Sequence, residues 1–319
     1  MRWKKKGRIF DPTSFILPND CKEFAQAPQV LQFESHIRVY FSTRKKESNG
    51  MYLSHIAFVD FTNDFSSIIR VSDQTVIPLG DMGCYDEHGI FPLNVLRANG
   101  KIIGYISGLN RRNSVSIDSA IGACISNDNG NTFQRLGSGP VVCSSLSEPF
   151  LICDPFVQYN EGKYHMLYVY GQKWLRNNSS DILDRVYKIG YASSTDGINW
   201  IKAGRQIIED IIDENECQAL PTYVKIDNTY HMFFCYRHSK GFRNEFKKAY
   251  RIGYATSTDL LNWTRTDNKV GITVSDSGWD SQMLCYPHVF ESQGKIYMLY
   301  NGNEFGRFGF GLAELIDIN

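Results

Sequence analysis

DPFVQYNEGKYHMLYVYGQK (residues 154–173) and LPTYVKIDNTYHMFFCYRHSK (220–240) share one plan. A proline is followed by an apolar run, a polar turn with Gly or Asn, and a second, aromatic-rich run. Short runs of this kind bounded by turn residues read as two antiparallel strands joined by a hairpin. Three other stretches repeat the plan: APQVLQFESHIRVYFSTR (27–44), FPLNVLRANGKIIGYISGLNRR (91–112) and YPHVFESQGKIYMLYNGNEFG (286–306). Their prolines, Pro28, Pro92, Pro155, Pro221 and Pro287, are spaced 64, 63, 66 and 66 residues apart. Five such units occupy all 319 residues. The expectation is therefore a single domain over 1–319, not the two that length alone would suggest.

Each unit continues into a second hairpin. KIGYASSTDGINW (188–200) and RIGYATSTDLLNW (251–263) nearly superpose, and AIGACISNDNGNTF (120–133) and FGFGLAELI (308–316) are their counterparts in the second and fifth units. The first unit is the least regular (MYLSHIAFVDF, 51–61). Four strands per unit, no helical period and a repeat beyond ~40 residues predict an all-β fold, a five-bladed β-propeller with four-stranded antiparallel blades. The fifth unit ends after its third strand. The stretch Trp3–Phe10 is expected to supply the missing strand and close the ring, which removes an exposed edge.

Composition narrows the function. Lys+Arg and Asp+Glu each number 34, so the formal charge is zero and the long-range attraction used by nucleic-acid and anionic-membrane binders is missing. Hydrophobic residues at 42% and charged residues at 21% exclude disorder as the main state. No apolar run approaches the ~20 residues of a membrane span, and MRWKKKGRIF lacks the apolar stretch of an export signal. The eight cysteines contain no CxxC pair and read as free thiols in a reducing cytoplasm.

Several conspicuous residues read as structural. The run from Ser126 to Phe133 has the form of an Asp-box, with Ser194–Trp200 and Ser257–Trp263 as relatives. Asp128, Asp196 and Asp259 are expected to hold their turns by bonding backbone N–H groups, while Phe133, Trp200 and Trp263 pack between sheets. His165 and His231 recur at one position of the second strand, which points to packing.

The chemistry is expected at the mouth where first strands begin. Polar residues stand just ahead of each repeat proline: Glu23 to Gln26, Asp86-Glu87-His88, Asp154, Glu214 to Glu216, and Asp280-Ser281-Gln282. Five places before the prolines stand Glu23, Glu87, Phe150, Glu216 and Gln282. Carboxylates converging in a partly enclosed pocket acquire separated proton affinities, the requirement for acid–base work on a glycosidic bond. The same acids could instead bond neighbouring backbone.

Loops 172–188 and 237–251 are long and rich in Arg, Lys, Asn and aromatics. Trp174, Phe242 and Tyr286 are suited to stacking on sugar faces, and Arg237, Arg243 and Arg111 to gripping hydroxyls, a carboxylate or a phosphate. His238, His288, Asp280, Gln282 and Asn301 complete the expected substrate-binding set. No ligand spacing calls for a metal or another cofactor.

These repeats, with Asp154-Pro155 and the Ser-Thr-Asp…Trp hairpins, resemble the five-bladed propellers of glycoside hydrolase families 43 and 32. The resemblance implies that Asp154 orients or stabilises the reacting sugar. It implies that Glu216, followed by Cys217, is the general acid. The family aspartate expected directly before Pro28 is replaced by Ala27, so Glu87, Asp86 and Glu23 remain alternatives for the base or nucleophile. Trp-Asp-Ser-Gln (279–282), Tyr-Pro-His-Val (286–289) and Asn-Gly-Asn (301–303) are also similar to glycosidase-like proteins of bacterial surface-polysaccharide synthesis. The leading expectation is a cytoplasmic enzyme that cleaves or transfers a glycosidic bond of a carbohydrate or sugar conjugate. The alternative is a propeller that binds a sugar or nucleotide sugar without breaking a bond.

Overall fold

The computed structural model describes residues 1–177 and 180–318. The N-terminal strand is β1 (Arg2–Phe10), followed by β2 (Glu23–Gln32), β3 (Ile37–Lys46), β4 (Tyr52–Phe61) and the short β5 (Ile68–Val71). Next come β6 (Gly89–Ala98), β7 (Lys101–Asn110), β8 (Asp118–Ser126) and β9 (Gln134–Arg135). The middle of the chain forms β10 (Ile152–Asn160), β11 (Lys163–Asn177), β12 (Ser180–Ser194) and β13 (Ile201–Lys202). Then follow β14 (Cys217–Ile226), β15 (Thr229–Arg237), β16 (Arg251–Ser257) and β17 (Thr264–Arg265). The last are β18 (Cys285–Ser292), β19 (Lys295–Asn301) and β20 (Phe310–Asp317).

The fold is all-β and built from four-stranded antiparallel sheets. β10 to β13 form one sheet and β14 to β17 another, each in chain order. β2 to β5 and β6 to β9 are two further antiparallel runs, joined at a single parallel bridge between Ser54 and Gly89. The remaining sheet has the order β1-β20-β19-β18, so the N-terminal strand is its outer member, antiparallel to β20. The first strands of the sheets neighbour one another in a closed cycle, β2 beside β6, β6 beside β10, then β14, β18 and β2 again.

Each of these inner strands is broken at its proline. Register shifts fall between Gln26 and Gln29, Ile90 and Leu93, Cys153 and Phe156, Ala219 and Thr222, and Cys285 and His288. Proline lacks an N–H for the ladder, and such a break re-aims the side chains beside it. Ala27, Asp154, Leu220 and Tyr286, each directly before its proline, adopt left-handed φ of 51°, 53°, 45° and 57°. Such values are uncommon outside glycine and concentrate where surrounding structure enforces them.

Just past the prolines, side chains stitch one inner strand to the next. Val30 N donates to His288 Nε2 at 3.2 Å, Val157 N to Asn94 Oδ1 at 2.9 Å and Val289 N to Thr222 Oγ1 at 3.3 Å. Asn94 in turn donates to Gln29 Oε1 at 3.0 Å. Farther out, aromatic rings fill the space between sheets. Trp200 meets Tyr105 edge-on at 5.6 Å, and Phe133 meets Tyr40 at 5.8 Å.

The turn aspartates sit in local bonding networks. Asp196 Oδ1 accepts from the N–H groups of Ile198 and Asn199, and Asp259 Oδ1 from those of Leu261 and Asn262. Asp128 accepts from Thr132 N at 2.9 Å. His165 and His231 lie 2.7 Å from the hydroxyls of Tyr191 and Tyr254. All eight cysteines are free of disulfides.

One expected loop is not a loop. β11 and β12 run 15 residues each and extend the hairpin through most of 172–188, with Asn178 and Ser179 outside the described residues. Trp174 on one strand and Val186 and Tyr187 on the other are residue types that favour a pleated ladder, which lets the pairing continue.

The N-terminal strand is held by one deeply packed ring. Trp3 is buried, stands edge-on to Phe233 at 5.4 Å, and donates from Nε1 to Val270 O at 3.0 Å. Trp3→Ala is expected to lower unfolding free energy by about 3–5 kcal/mol in urea denaturation. A loss below about 1 kcal/mol, the size of an ordinary surface change, would contradict this packing.

Candidate functional site

Where the inner strands begin, a cavity of about 190 Å³ opens, and Phe91, Asp154 and Tyr286, three of the residues directly before the repeat prolines, line it. Cys153, Ser119, Ser54, Arg44, Arg185, Tyr187 and Tyr250 complete the polar wall. A second chamber of about 180 Å³ shares Arg44, Arg185, Tyr187, Tyr250 and Tyr286 with the first. It adds Gln26, Phe24, Arg237, Phe242, Arg243 and Phe305. The two chambers form one recess with a common tyrosine–arginine partition.

Asp154 is the one carboxylate on these walls among the described residues. The break at Pro155 sets its backbone: Asp154 N donates to Ser107 Oγ at 2.8 Å, and Oδ2 accepts from Leu220 N at 3.2 Å. Burial pushes its carboxyl up to about 7, against the opposing pull of the Leu220 N–H and the Arg185 charge. An acid tuned to neutrality can hold a proton and still release it. Burial likewise raises the Tyr187 phenol to about 12 and those of Tyr250 and Tyr286 well above their ordinary value. These hydroxyls are neutral donors at pH 7.

The guanidiniums are unusual in having no acid partner. Among the described residues, Arg44, Arg185, Arg237 and Arg243 form no ion pair. Burial foremost, with the Arg185 charge adding, holds Arg44 below its ordinary value. Arg243 is exposed overall, yet it is lowered first by desolvation where its guanidinium lies against Phe242 and then by the Arg237 and Arg185 charges. Arg237 and Arg243 share one ring, their Cζ atoms 3.5 Å and 4.2 Å from the centroid of Phe242. Arg237 donates to Tyr187 Oη at 2.8 Å and to His238 O at 2.7 Å, while its buried Nε and that of Arg44 have no partner. Always charged and forked, such groups suit a phosphate or a carboxylate.

The other expected acids lie elsewhere. Glu216, the residue the resemblance marked as general acid, is fully buried outside the recess. Its carboxylate bonds Arg265 Nη1 at 2.5 Å and accepts from Ile211 N, Ile212 N and Gln218 Nε2. A carboxylate saturated in this way has no path to a substrate. Asp86 is also fully buried, bonding Arg135 Nε at 2.7 Å beneath Gly80, where a Cβ would stand 2.2 Å from its Oδ1. Glu87 accepts from Gly83 N at 2.9 Å within its own loop, and Glu23 pairs with Arg307 at 2.7 Å.

Among the expected substrate contacts, Tyr286, Arg237, Phe242 and Arg243 line the recess, and Arg111, Asp280, Asn301, His288, His238, Gln282 and Trp174 do not. Arg111 is held by Glu47 and Tyr52 O. Asp280 anchors Lys5 of β1 at 2.7 Å and accepts from Tyr300. Asn301 bonds Ala27 N, Ala25 O and Gly309 O, all at 2.8 Å. His288 stitches β18 to β2. His238 N donates to Lys248 O, and Gln282 N donates to Asn303 Oδ1. Trp174 is half-buried on β11 opposite Arg185.

Sequence reasoning missed Arg44, Arg185, Tyr187 and Tyr250. For the tyrosines a signal was present, since VYKIGY (186–191) and AYRIGY (249–254) repeat them at equivalent places. No group of three or more His, Cys, Asp or Glu among the described residues is arranged to hold a metal ion.

Glu216→Ala should cost about 3–5 kcal/mol in chemical denaturation, because it strips a buried charge pair of one member. A change under about 1 kcal/mol would show that the clamp is not structural.

No family model matches the chain. It is 34% identical over 316 residues, 99% of each chain, to the Uncharacterized protein Rv1502 of Mycobacterium tuberculosis. Similarity to a 1,2-beta-oligomannan phosphorylase of Thermoanaerobacter sp. is 29% identity over 178 residues, 52% of each chain. Among solved structures, a glycoside hydrolase superposes with a TM-score of 0.75 at 15% identity, covering 97% of this chain and 90% of that one. A thermostable family-43 glycoside hydrolase gives 0.63 at 16% identity, over 91% and 87%. A Beta-1,2-Mannobiose phosphorylase from Listeria innocua gives 0.68 at 13% identity, over 100% and 97%. The fold is thus that of the family 43- and 32-like propeller glycosidases, and by sequence the chain belongs to the family of the Mycobacterium tuberculosis protein Rv1502.

Proposed function

We propose that this protein is a single five-bladed propeller over residues 1–319 and an enzyme that cleaves glycosidic bonds by transfer to phosphate. Asp154 is the proton donor. The observation that carries this reading is the lining of the inner chamber: one carboxyl tuned near neutrality, beside the guanidiniums of Arg44 and Arg185, which have no acid partner among the described residues.

Hydrolysis by either usual route needs two carboxylates, about 5 Å apart for retention or about 6.5–9.5 Å for inversion. Here the second carboxylate is missing from the walls among the described residues, and cationic groups stand instead. An oxyanion bound there brings its own nucleophilic oxygen. A phosphate oxygen bonds to the anomeric carbon as the glycosidic C–O bond breaks, and the Asp154 proton passes to the departing sugar oxygen. The hydrogen of monohydrogen phosphate restores that proton, so the net products are a glycosyl phosphate and a shortened glycan. The two phosphorylases among the similar proteins support this direction. The free thiols and the lack, among the described residues, of a helix long and apolar enough to cross a membrane agree with the cytoplasmic setting that we include in this reading.

The alternative, a propeller that binds a sugar or nucleotide sugar without chemistry, draws on the same missing carboxylate. Turnover separates the two. With inorganic phosphate and a glycan panel including 1,2-β-oligomannan, the protein is expected to release glycosyl phosphate. Asp154→Asn should reduce that release about 10²–10⁴-fold in a folded protein. Release unchanged in the variant removes Asp154 as donor, and binding with no release from any glycan favours the alternative.

The pH profile follows from the same group. The donor must carry its proton, so turnover should fall as pH rises through about 7, the value to which burial lifts Asp154. Its raised carboxyl also makes the folded state less stable as pH climbs from its ordinary value of 3.8 toward about 7, because only the unfolded chain ionises there. Asp154→Asn should abolish that slope. Thermal unfolding of both proteins between pH 4 and pH 8 checks it, and parallel curves would contradict the assignment.

A further inference from the structure

The two chambers carry more positive charge than one phosphate balances. Arg44 and Arg185 line both, whereas Arg237 and Arg243 line only the outer one. All four are permanently charged, and a phosphate group carries only ~1.5–2 negative charges near pH 7. Among the described residues, about two guanidiniums are left without an ion-pair partner. Arg237 is 3% exposed, its Nε has no partner, and the hydrogen bonds it does make go to neutral oxygens of Tyr187, His238 and Ser239. Uncompensated buried charge of this kind is costly unless a ligand supplies the counter-charge.

The outer pair is also built to be held in place. Phe242 is buried between the two guanidiniums and packs against Phe305 at 6.0 Å, edge-on. Gln26, which also lines the chamber, donates from Nε2 to Phe305 O, and its buried Oε1 has no partner. Together these groups offer forked cation donors, an apolar ring and one amide acceptor. That set matches a sugar bearing an anionic substituent better than a neutral one.

We propose that the outer chamber, formed by Arg237, Arg243, Phe242, Phe305 and Gln26, is a second anion subsite that takes a carboxylate or phosphate ester carried by the substrate itself. It is distinct from the acceptor phosphate beside Arg44 and Arg185. The inference rests on the phosphorolytic reading. It adds that the preferred glycan is acidic.

Binding calorimetry on the full chain tests it without turnover. The probes are mannose, mannuronate and mannose 6-phosphate, each titrated at saturating inorganic phosphate, and inorganic phosphate alone. At least one charged sugar should bind about tenfold or more tightly than mannose, the increment expected of a charged hydrogen-bonded contact. Which of the two does so identifies the substituent. Arg243 is exposed, so R243Q is expected to fold; it should erase the preference and leave the affinity for inorganic phosphate within about twofold. R44Q should do the opposite, weakening phosphate about tenfold. Equal binding of charged and neutral sugars overturns the second subsite and leaves phosphorolysis standing, as does R243Q weakening phosphate and charged sugar alike. A charge preference lost in R243Q, with no binding of inorganic phosphate, upholds the subsite and removes phosphate as acceptor.

Discussion

The break in each inner strand at its repeat proline is the constraint from which the rest of the molecule follows. A regular strand would continue its alternation and send every second side chain between sheets. Removing one ladder donor, with left-handed φ at the preceding residue in four of the five strands, resets that alternation. The residue before the proline is thereby released from the ladder, and Phe91, Asp154 and Tyr286 all reach the cavity. The residues after the proline resume pairing, and His288, Thr222 and Asn94 spend their polar atoms on the neighbouring strand. One local device therefore both shapes the recess and closes the cycle of strands around it.

The distribution of charge follows the same geometry. Acids that lie off this position are absorbed into clamps: Glu216 with Arg265, Asp86 with Arg135, Asp60 with Arg38, Asp280 with Lys5. Buried pairs of this kind persist because removing one partner strands the other. What remains at the mouth is the reverse arrangement: arginines that form no ion pair among the described residues, around a carboxyl whose proton affinity is raised. Tyr187, Tyr250 and Tyr286, kept neutral by burial, partition the space without adding charge. In the proposed phosphorolysis, a site so composed would draw in the anionic reactant and supply the proton.

Much of the architecture was legible because the repeat is written in residues with strong backbone consequences. The five prolines, the Gly- or Asn-containing turns and the Ser-x-Asp hairpins announce strands and turns, and Trp3–Phe10 does pair with β20. The site was less legible, for a geometrical reason. Counting five residues back from the proline selected Glu23, Glu87 and Glu216, yet the cavity is reached from the position immediately before it. Asp154 was noticed through its Asp-Pro pair. Arg44 and Arg185 carry no motif, since they come from a strand end and an extended hairpin that only folding brings together. Tyr187 and Tyr250 were visible as a repeat, but a tyrosine before a basic residue and Ile-Gly-Tyr reads equally well as packing. Glu216 and Asp86 show the limit of acid counting, because sequence does not reveal which arginine will claim a carboxylate.

For the proposed chemistry, Asp154 must keep its proton near neutrality among the surrounding cations. Infrared difference spectroscopy of the carboxyl stretch, wild type against Asp154→Asn across pH 4 to pH 9, measures this directly. A protonated carboxyl band that titrates with a midpoint near pH 7 is predicted. A band already ionised at pH 5 would mean that the arginines outweigh burial, and the proton donor would have to be sought elsewhere.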